Sequence, residues 1–151
     1  MPASPLFVFG HGLSYTTFAY SDLRVAPEAP IDAPLTIALD VTNTGDRAGD
    51  EVLQLYVHDR VASATRPVKQ LAGFARVPRA PGETRTIEFT LDLSQLAFYD
   101  PAMRLVIEPG DLEIMIGASS GDIRASVRIA VTGATREIAR ADVRATAVRV
   151  T

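Results

Sequence analysis

Leu35-Thr36-Ile37-Ala38-Leu39-Asp40-Val41-Thr42 decides the fold, because its odd positions are large aliphatics and its even positions are small, polar or charged. A period of two belongs to a strand with one face in a core and the other toward water. The same period recurs four times. Leu53, Leu55 and Val57 alternate with Gln54, Tyr56 and His58, and Ile87, Phe89 and Leu91 with Thr86, Glu88, Thr90 and Asp92. Leu112, Ile114 and Ile116 alternate with Glu113 and Met115, and Val127, Ile129 and Val131 with Arg128, Ala130 and Thr132. A slip of one residue turns an entire apolar set to water, so each strand has one register.

Two segments carry the pattern less cleanly. Phe18 and Tyr20 share one parity, Leu23 and Val25 the other, and a bulge near Ser21 and Asp22 reconciles them. Met103, Leu105 and Ile107 predict a further strand after the Asp100-Pro101 turn. Between strands lie Asn43-Thr44-Gly45-Asp46, Ala80-Pro81-Gly82-Glu83, Glu108-Pro109-Gly110-Asp111 and Ser119-Ser120-Gly121-Asp122. These are turn residues, each with a backbone reason to be there. Helix is expected only in a short piece over 93–97. The chain therefore reads as an all-β antiparallel sandwich of about seven strands. Two segments fall outside that pattern. One is the opening through Tyr15, where Leu6, Phe7, Val8 and Phe9 run together before the glycines. The other is the end after Gly133. The expected organisation is a lead-in over 1–16, a sandwich over 17–133 and a tail over 134–151.

The 151 residues suit one domain. Hydrophobic residues make up 47% and charged residues 22%, the balance of a globular protein. A net charge of −3 without blocks of one sign gives no reason to expect nucleic acid or an anionic membrane as partner. No apolar run approaches the roughly 20 residues of a membrane span. The stretch from Met1 to Gly12 has no basic start and is broken by Pro2, Pro5 and Gly10, so it does not read as a signal peptide. With no cysteine, disulfides and thiolate metal sites are excluded.

Chemistry-bearing residues are few. The histidines are His11, between two glycines, and His58, on a polar strand parity beside Asp59. No Gly-x-Ser-x-Gly elbow accompanies them, so both are assigned structural or interface roles. Asp46, Asp50 and Glu51 cluster at a turn, and capping of a solvated loop is preferred to a calcium site. Asp111 and Asp122 are read as turn residues. The pairs Glu108 with Asp111 and Glu88 with Asp92 are read as surface carboxylates. No catalytic residue, metal site or cofactor is assigned.

Several stretches carry a resemblance when taken in order. They are Pro5-Leu6-Phe7-Val8-Phe9-Gly10-His11-Gly12-Leu13-Ser14-Tyr15-Thr16-Thr17-Phe18, then Val41 through Val52 with Asn43-Thr44-Gly45-Asp46, then Gln54-Leu55-Tyr56-Val57. Thr65 through Phe74, Pro81-Gly82-Glu83-Thr84, Phe98-Tyr99-Asp100, Pro109-Gly110 and Val131-Thr132-Gly133 complete the run. Together they resemble the C-terminal fibronectin type III-like domain of family 3 glycoside hydrolases of β-glucosidase or β-xylosidase type. That resemblance implies an immunoglobulin-like sandwich attached to a retaining glycosidase. In that family the two carboxylates lie in domains preceding the sandwich. The chain itself is then an accessory domain, and its expected partner is the set of catalytic domains.

Against that background the apolar opening is assigned to interdomain docking through Leu6, Phe7, Phe9, Gly10, His11, Gly12, Leu13 and Tyr15. The alternative is a segment folded back over one end of the sandwich. Gly10 and Gly12 are expected where backbone approaches closely. Self-association of the isolated domain through Leu6 to Phe9 follows from an uncovered interface. Two other readings stay open. The first is a carbohydrate-binding module that takes β-glucan on an exposed Tyr56, although ordinary sandwich packing or interdomain contact is the preferred reading of that residue. The second is an immunoglobulin-like interaction module. The cellular compartment is left open.

Overall fold

Each of the five strongly alternating segments is a strand in the computed structural model, which describes residues 5–60 and 62–151. They are β3 (Leu35–Asn43), β4 (Gly49–Asp59), β6 (Thr84–Leu91), β9 (Gly110–Ser119) and β10 (Asp122–Thr132). The remaining strands are β1 (Phe18–Val25), β2 (Glu28–Pro30), β5 (Gln70–Arg79), β7 (Phe98–Tyr99), β8 (Leu105–Ile107), β11 (Arg136–Glu137) and β12 (Ala147–Val150). One sheet runs β1-β3-β6-β12, a second β2-β10-β9-β4-β5, and a small third β11-β8-β7. Pairing is antiparallel except where β2 runs parallel to β10. The strands among the described residues exceed the expected seven because β2, β7, β11 and β12 are too short to carry a readable period and β5 switches parity within its length.

The core is the meeting of two inner faces. Ile37, Leu39, Val41, Ile87, Phe89 and Leu91 come from the first sheet. Leu53, Leu55, Val57, Ile114, Ile116, Ile129 and Val131 come from the second. Each such side chain contributes about 1.5–3 kcal/mol on burial. β1 kinks as its parity demands: Asp22 has φ 50° and the pairing with β3 shifts between Ser21 and Arg24. The short helix is a 3₁₀ turn over Leu93–Leu96, capped by Asp92, whose carboxylate accepts from the Ser94 amide at 2.9 Å.

Three features depart from the sequence pattern. Met103 is not in a strand; it sits at φ 61° in the turn before β8 and is exposed. β5 changes parity, with Ala72 inward and then Ala75 and Val77, because its pairing with β4 shifts between Leu55 and Tyr56. Residues 134–151 add to the sheets. β11 pairs with β8, β12 extends the first sheet along β6, and Ile138 joins the core. Gln95 Oε1 accepts from the Thr146 amide and hydroxyl, and Ser94 Oγ from the Arg144 amide, which fixes the approach to β12.

The β7–β8 turn is held by a buried carboxylate. Asp100 accepts from the amides of Arg104 and Ala102 at 2.9 Å and from the Arg104 guanidinium at 2.7 Å. These donors, the Arg104 amide foremost, hold its carboxyl below the usual aspartate range. A depressed folded pKa gives stability that is present above the unfolded value of about 3.9 and is lost as pH falls through the folded one. Asp100→Asn should therefore lower stability at neutral pH, and its gap from wild type should close on acidification; urea titrations at the two pH values check this. In the core, Phe89→Ala should cost about 3–5 kcal/mol by the same assay, and a loss under 1 kcal/mol would contradict the packing described.

Candidate docking surface

The core register places Gln54 and Tyr56 on the outer face of the second sheet, and the lead-in runs across them. Its first anchor is a turn over 8–11, closed by the His11 amide donating to the Val8 carbonyl at 3.1 Å. Gly10 stands at the third position with φ 77°, where a turn of this kind calls for glycine. Gln54 Nε2 donates to the Gly10 carbonyl at 3.0 Å and to the Ala118 carbonyl at 2.9 Å. The Ser120 amide donates to the Phe9 carbonyl at 2.9 Å. A Cβ on Gly10 would lie 2.0 Å from Gln54 Oε1, so both conformation and space demand glycine there. Gly12 has no such neighbour within 4 Å, and the close approach expected of it does not occur.

The second anchor is Asn43, whose side chain is fully buried. Its Oδ1 accepts from the Thr16 hydroxyl at 2.7 Å and the Gly45 amide at 3.0 Å. Its Nδ2 donates to the carbonyls of Arg47 at 2.8 Å and Arg79 at 3.2 Å. The Thr44 amide adds a bond to the Thr17 carbonyl at 2.8 Å. The lead-in is thus tied to the turn after β3 and to the end of β5 through one amide.

Its apolar side chains point the other way. Leu6 is 91% exposed, Leu13 94% and Tyr15 93%, and Phe7 and Phe9 are also exposed. Phe7 stacks on His11 with ring centroids 5.2 Å apart. The backbone folds back over the sheet, while the side chains stay uncovered. Beside Phe9 a shallow depression is lined by Val68, Lys69, Leu71 and Ser120, with Tyr56 also at its wall. Lys69 Nζ donates to the Ser120 carbonyl at 2.6 Å. Exposed Val68 and Phe74 also belong to this region of β5 and the loop before it. The sequence pattern did not single them out, although Phe74 next to Gly73 in an otherwise small-residue run was a signal.

Tyr56 is not an exposed platform. It is 2% exposed, and its hydroxyl donates to Gln54 Oε1 beneath the lead-in. Burial pushes its pKa up. His58 is half-buried, with Nδ1 3.9 Å from Glu113 Oε2. Glu108 accepts from the Ser63 amide and hydroxyl. Among the described residues no three His, Asp or Glu side chains converge as a metal site would require.

A family profile described as "Fibronectin type III-like domain" matches residues 51–120, the stretch from β4 through β9. The periplasmic β-glucosidase of Salmonella typhimurium is 43% identical over 121 residues, which are 80% of this chain and 16% of that protein. The thermostable β-glucosidase B of Acetivibrio thermocellus is 45% identical over 129 residues, 83% of this chain and 17% of that one. The solved β-glucosidase of Listeria innocua in complex with glucose superposes with a TM-score of 0.84 at 34% identity, covering 89% of this chain and 18% of that one. The chain is a fibronectin type III-like domain of the kind carried by family 3 glycoside hydrolases. It spans about one sixth of the length of the curated relatives it matches.

At the lead-in end of this fibronectin type III-like domain, Glu51 departs from the expected turn role. It is a buried β4 residue, 3.6 Å from Arg124 Nη1. Arg124 lies over the Tyr20 ring at 4.8 Å, pairs with Asp122 at 2.9 Å and donates to the Phe18 carbonyl at 2.9 Å. It therefore bridges β10 of one sheet to β1 of the other. Burial, then the Glu51 carboxylate, pushes the Tyr20 hydroxyl well up. The Arg124 hydrogen bonds hold Asp122 below the usual range. Asp50 pairs with Arg76 at 2.6 Å and Asp46 with Arg47 at 3.5 Å, so that acidic cluster is resolved into separate ion pairs.

The first anchor is testable alone. In Gly10→Ala a left-handed alanine costs about 1–2 kcal/mol. Hydrogen exchange at the Ser120 amide should accelerate by a factor of roughly 5–30. The urea midpoint should hardly move, because the anchor lies outside the core. Unchanged Ser120 exchange would show that the anchor does not depend on Gly10.

Proposed function

We propose that the chain is a non-catalytic accessory domain of a retaining β-glucosidase- or β-xylosidase-type enzyme, and that it stabilises that enzyme by docking on its catalytic domains. One observation carries the reading. The lead-in is pinned to the domain by its backbone, yet Leu6, Phe7, Phe9, Leu13 and Tyr15 are turned away from the domain's own core. Five large apolar side chains fixed in water by a hydrogen-bonded backbone suit a surface that another body covers. Gly10 and His11 shape the turn that displays them, and Gly12 follows it. The small share of each relative that the chain matches supports a larger protein around it. Burial of Tyr56 removes the main support for a β-glucan-binding module, and the lead-in is foreign to a free-standing interaction module. In isolation the same residues favour self-association. Under this reading residues 1–16 form the docking element, 17–133 the sandwich and 134–151 a strap on it; the expected stretch 1–4 lies outside the described residues.

The test is a chimera in which this chain replaces the matching part of the Listeria innocua β-glucosidase. The purified chain alone should not hydrolyse an aryl β-glucoside, and the chimera should. Phe9→Asp and Leu13→Asp should each cost the chimera about 1.5–3 kcal/mol of stability, the value of a buried apolar side chain. The isolated chain's unfolding should be unaffected. Equal, small effects in both settings would rule out docking through these residues.

A further inference from the structure

Ser120, in the turn between β9 and β10, holds two separate segments by its backbone. Its amide donates to the Phe9 carbonyl at 2.9 Å, and its carbonyl accepts from Lys69 Nζ at 2.6 Å. The first bond fixes the lead-in and the second the loop before β5, so one residue braces both rims of the depression beside Phe9. Phe9 and Val68 stand on those rims, 65% and 71% exposed. Leu71 and the Tyr56 ring complete the wall, on positions that pair across β5 and β4. The depression has a volume of about 460 Å³ and opens to solvent, room enough for a large side chain.

Chemistry narrows what fills it. Large side chains that enter pockets with walls set in advance carry most of the free energy of an interface. The one charge at the rim is Lys69, and its Nζ is held by an uncharged carbonyl. A carboxylate beside the entering side chain matches that cation. The apolar surface also extends past the depression. β5 is the edge of its sheet, and Phe74, opposite Gln54, is exposed on its outer face. Phe9 joins this surface to the uncovered side chains of the lead-in. A body that covers Leu13 and Tyr15 therefore has a continuous path to Val68.

We propose that the depression between Phe9 and Val68 receives one large apolar side chain of the catalytic domains, presented beside a carboxylate that pairs with Lys69. The inference rests on the docking reading, and it extends the docking surface from the lead-in to β5 and the loop before it.

The chain has no cysteine, so a single introduced thiol reports cover at a chosen place. Val68→Cys and Leu13→Cys are each labelled with a maleimide, in the dilute isolated chain and in the chimera with the Listeria innocua enzyme, and the labelled peptide is followed by mass. Both thiols should react more slowly in the chimera by roughly tenfold or more, as for a site that a contact must open to expose. Lys69→Glu should lower the Tm of the chimera and hardly move that of the isolated chain, and the loss should shrink in concentrated salt. Protection of Leu13→Cys with free reaction of Val68→Cys would overturn this inference and leave docking standing. Free reaction of both would overturn docking and the inference with it. A Lys69→Glu chimera as stable as its parent would overturn the carboxylate. If Val68→Cys is free in the chimera but protected in the concentrated isolated chain, a second copy fills the depression; if laminarin alone protects it, a glucan does. Either result overturns the proposal.

Discussion

A core filled from two sheets allows each strand one register, and that constraint determines the outer surface as firmly as the inner one. Once Leu53, Leu55 and Val57 face inward, Gln54 and Tyr56 must face outward in the middle of the second sheet. An amide and a large phenol on that face need cover and hydrogen-bond partners. The lead-in supplies both, since the Gly10 carbonyl takes the Gln54 amide and Gln54 takes the Tyr56 hydroxyl. Having used its backbone for this, the lead-in has only its other side to show to solvent. The exposure of Leu13 and Tyr15 thus follows from the parity of β4, a strand distant in the sequence.

Two polar side chains tie together parts of the fold that apolar packing does not. Asn43 has four hydrogen-bonding positions, and each has a partner from a different backbone group or hydroxyl. A buried amide so satisfied adds direction to a region otherwise made of turns. Arg124 does the same between the sheets, joining β10 to β1 while its charge is matched by Glu51 and Asp122. Arg79 is the contrast. It shares Asn43's neighbourhood and depth, yet only one of its three nitrogens is engaged.

The sequence made the long strands legible because their alternation runs without interruption and their turns are chemically distinct. The β1 bulge was equally readable, since a parity switch inside eight residues has few other solutions. β5 was not, because its own parity switch coincides with Gly73 and an exposed Phe74, leaving no run of either period. β12 was hidden for another reason: all four of its residues are exposed, so it is held by ladder bonds to β6 and has no apolar face to announce it. Site residues divide in the same way. The lead-in stood out as apolar residues outside any strand. For Tyr56 parity told which face the residue occupies and not whether another segment lies on it, so a packed ring, the preferred reading, and an exposed platform stayed unseparated.

The lead-in's cost to the isolated domain bears on what it is for. Its anchors are few, and its side chains gain nothing from the domain's own core. Ordering a backbone residue costs about 1–2 kcal/mol, while a single net hydrogen bond returns about 0.5–1.5 kcal/mol. On hydrogen bonds alone the segment falls well short of balance, and the glycine at its turn sharpens geometry without adding burial. Under the proposed docking, apolar contact from outside supplies the missing favourable contribution. A segment poised this way is ordered enough to present a surface and too weakly held to be explained by the fold it sits on.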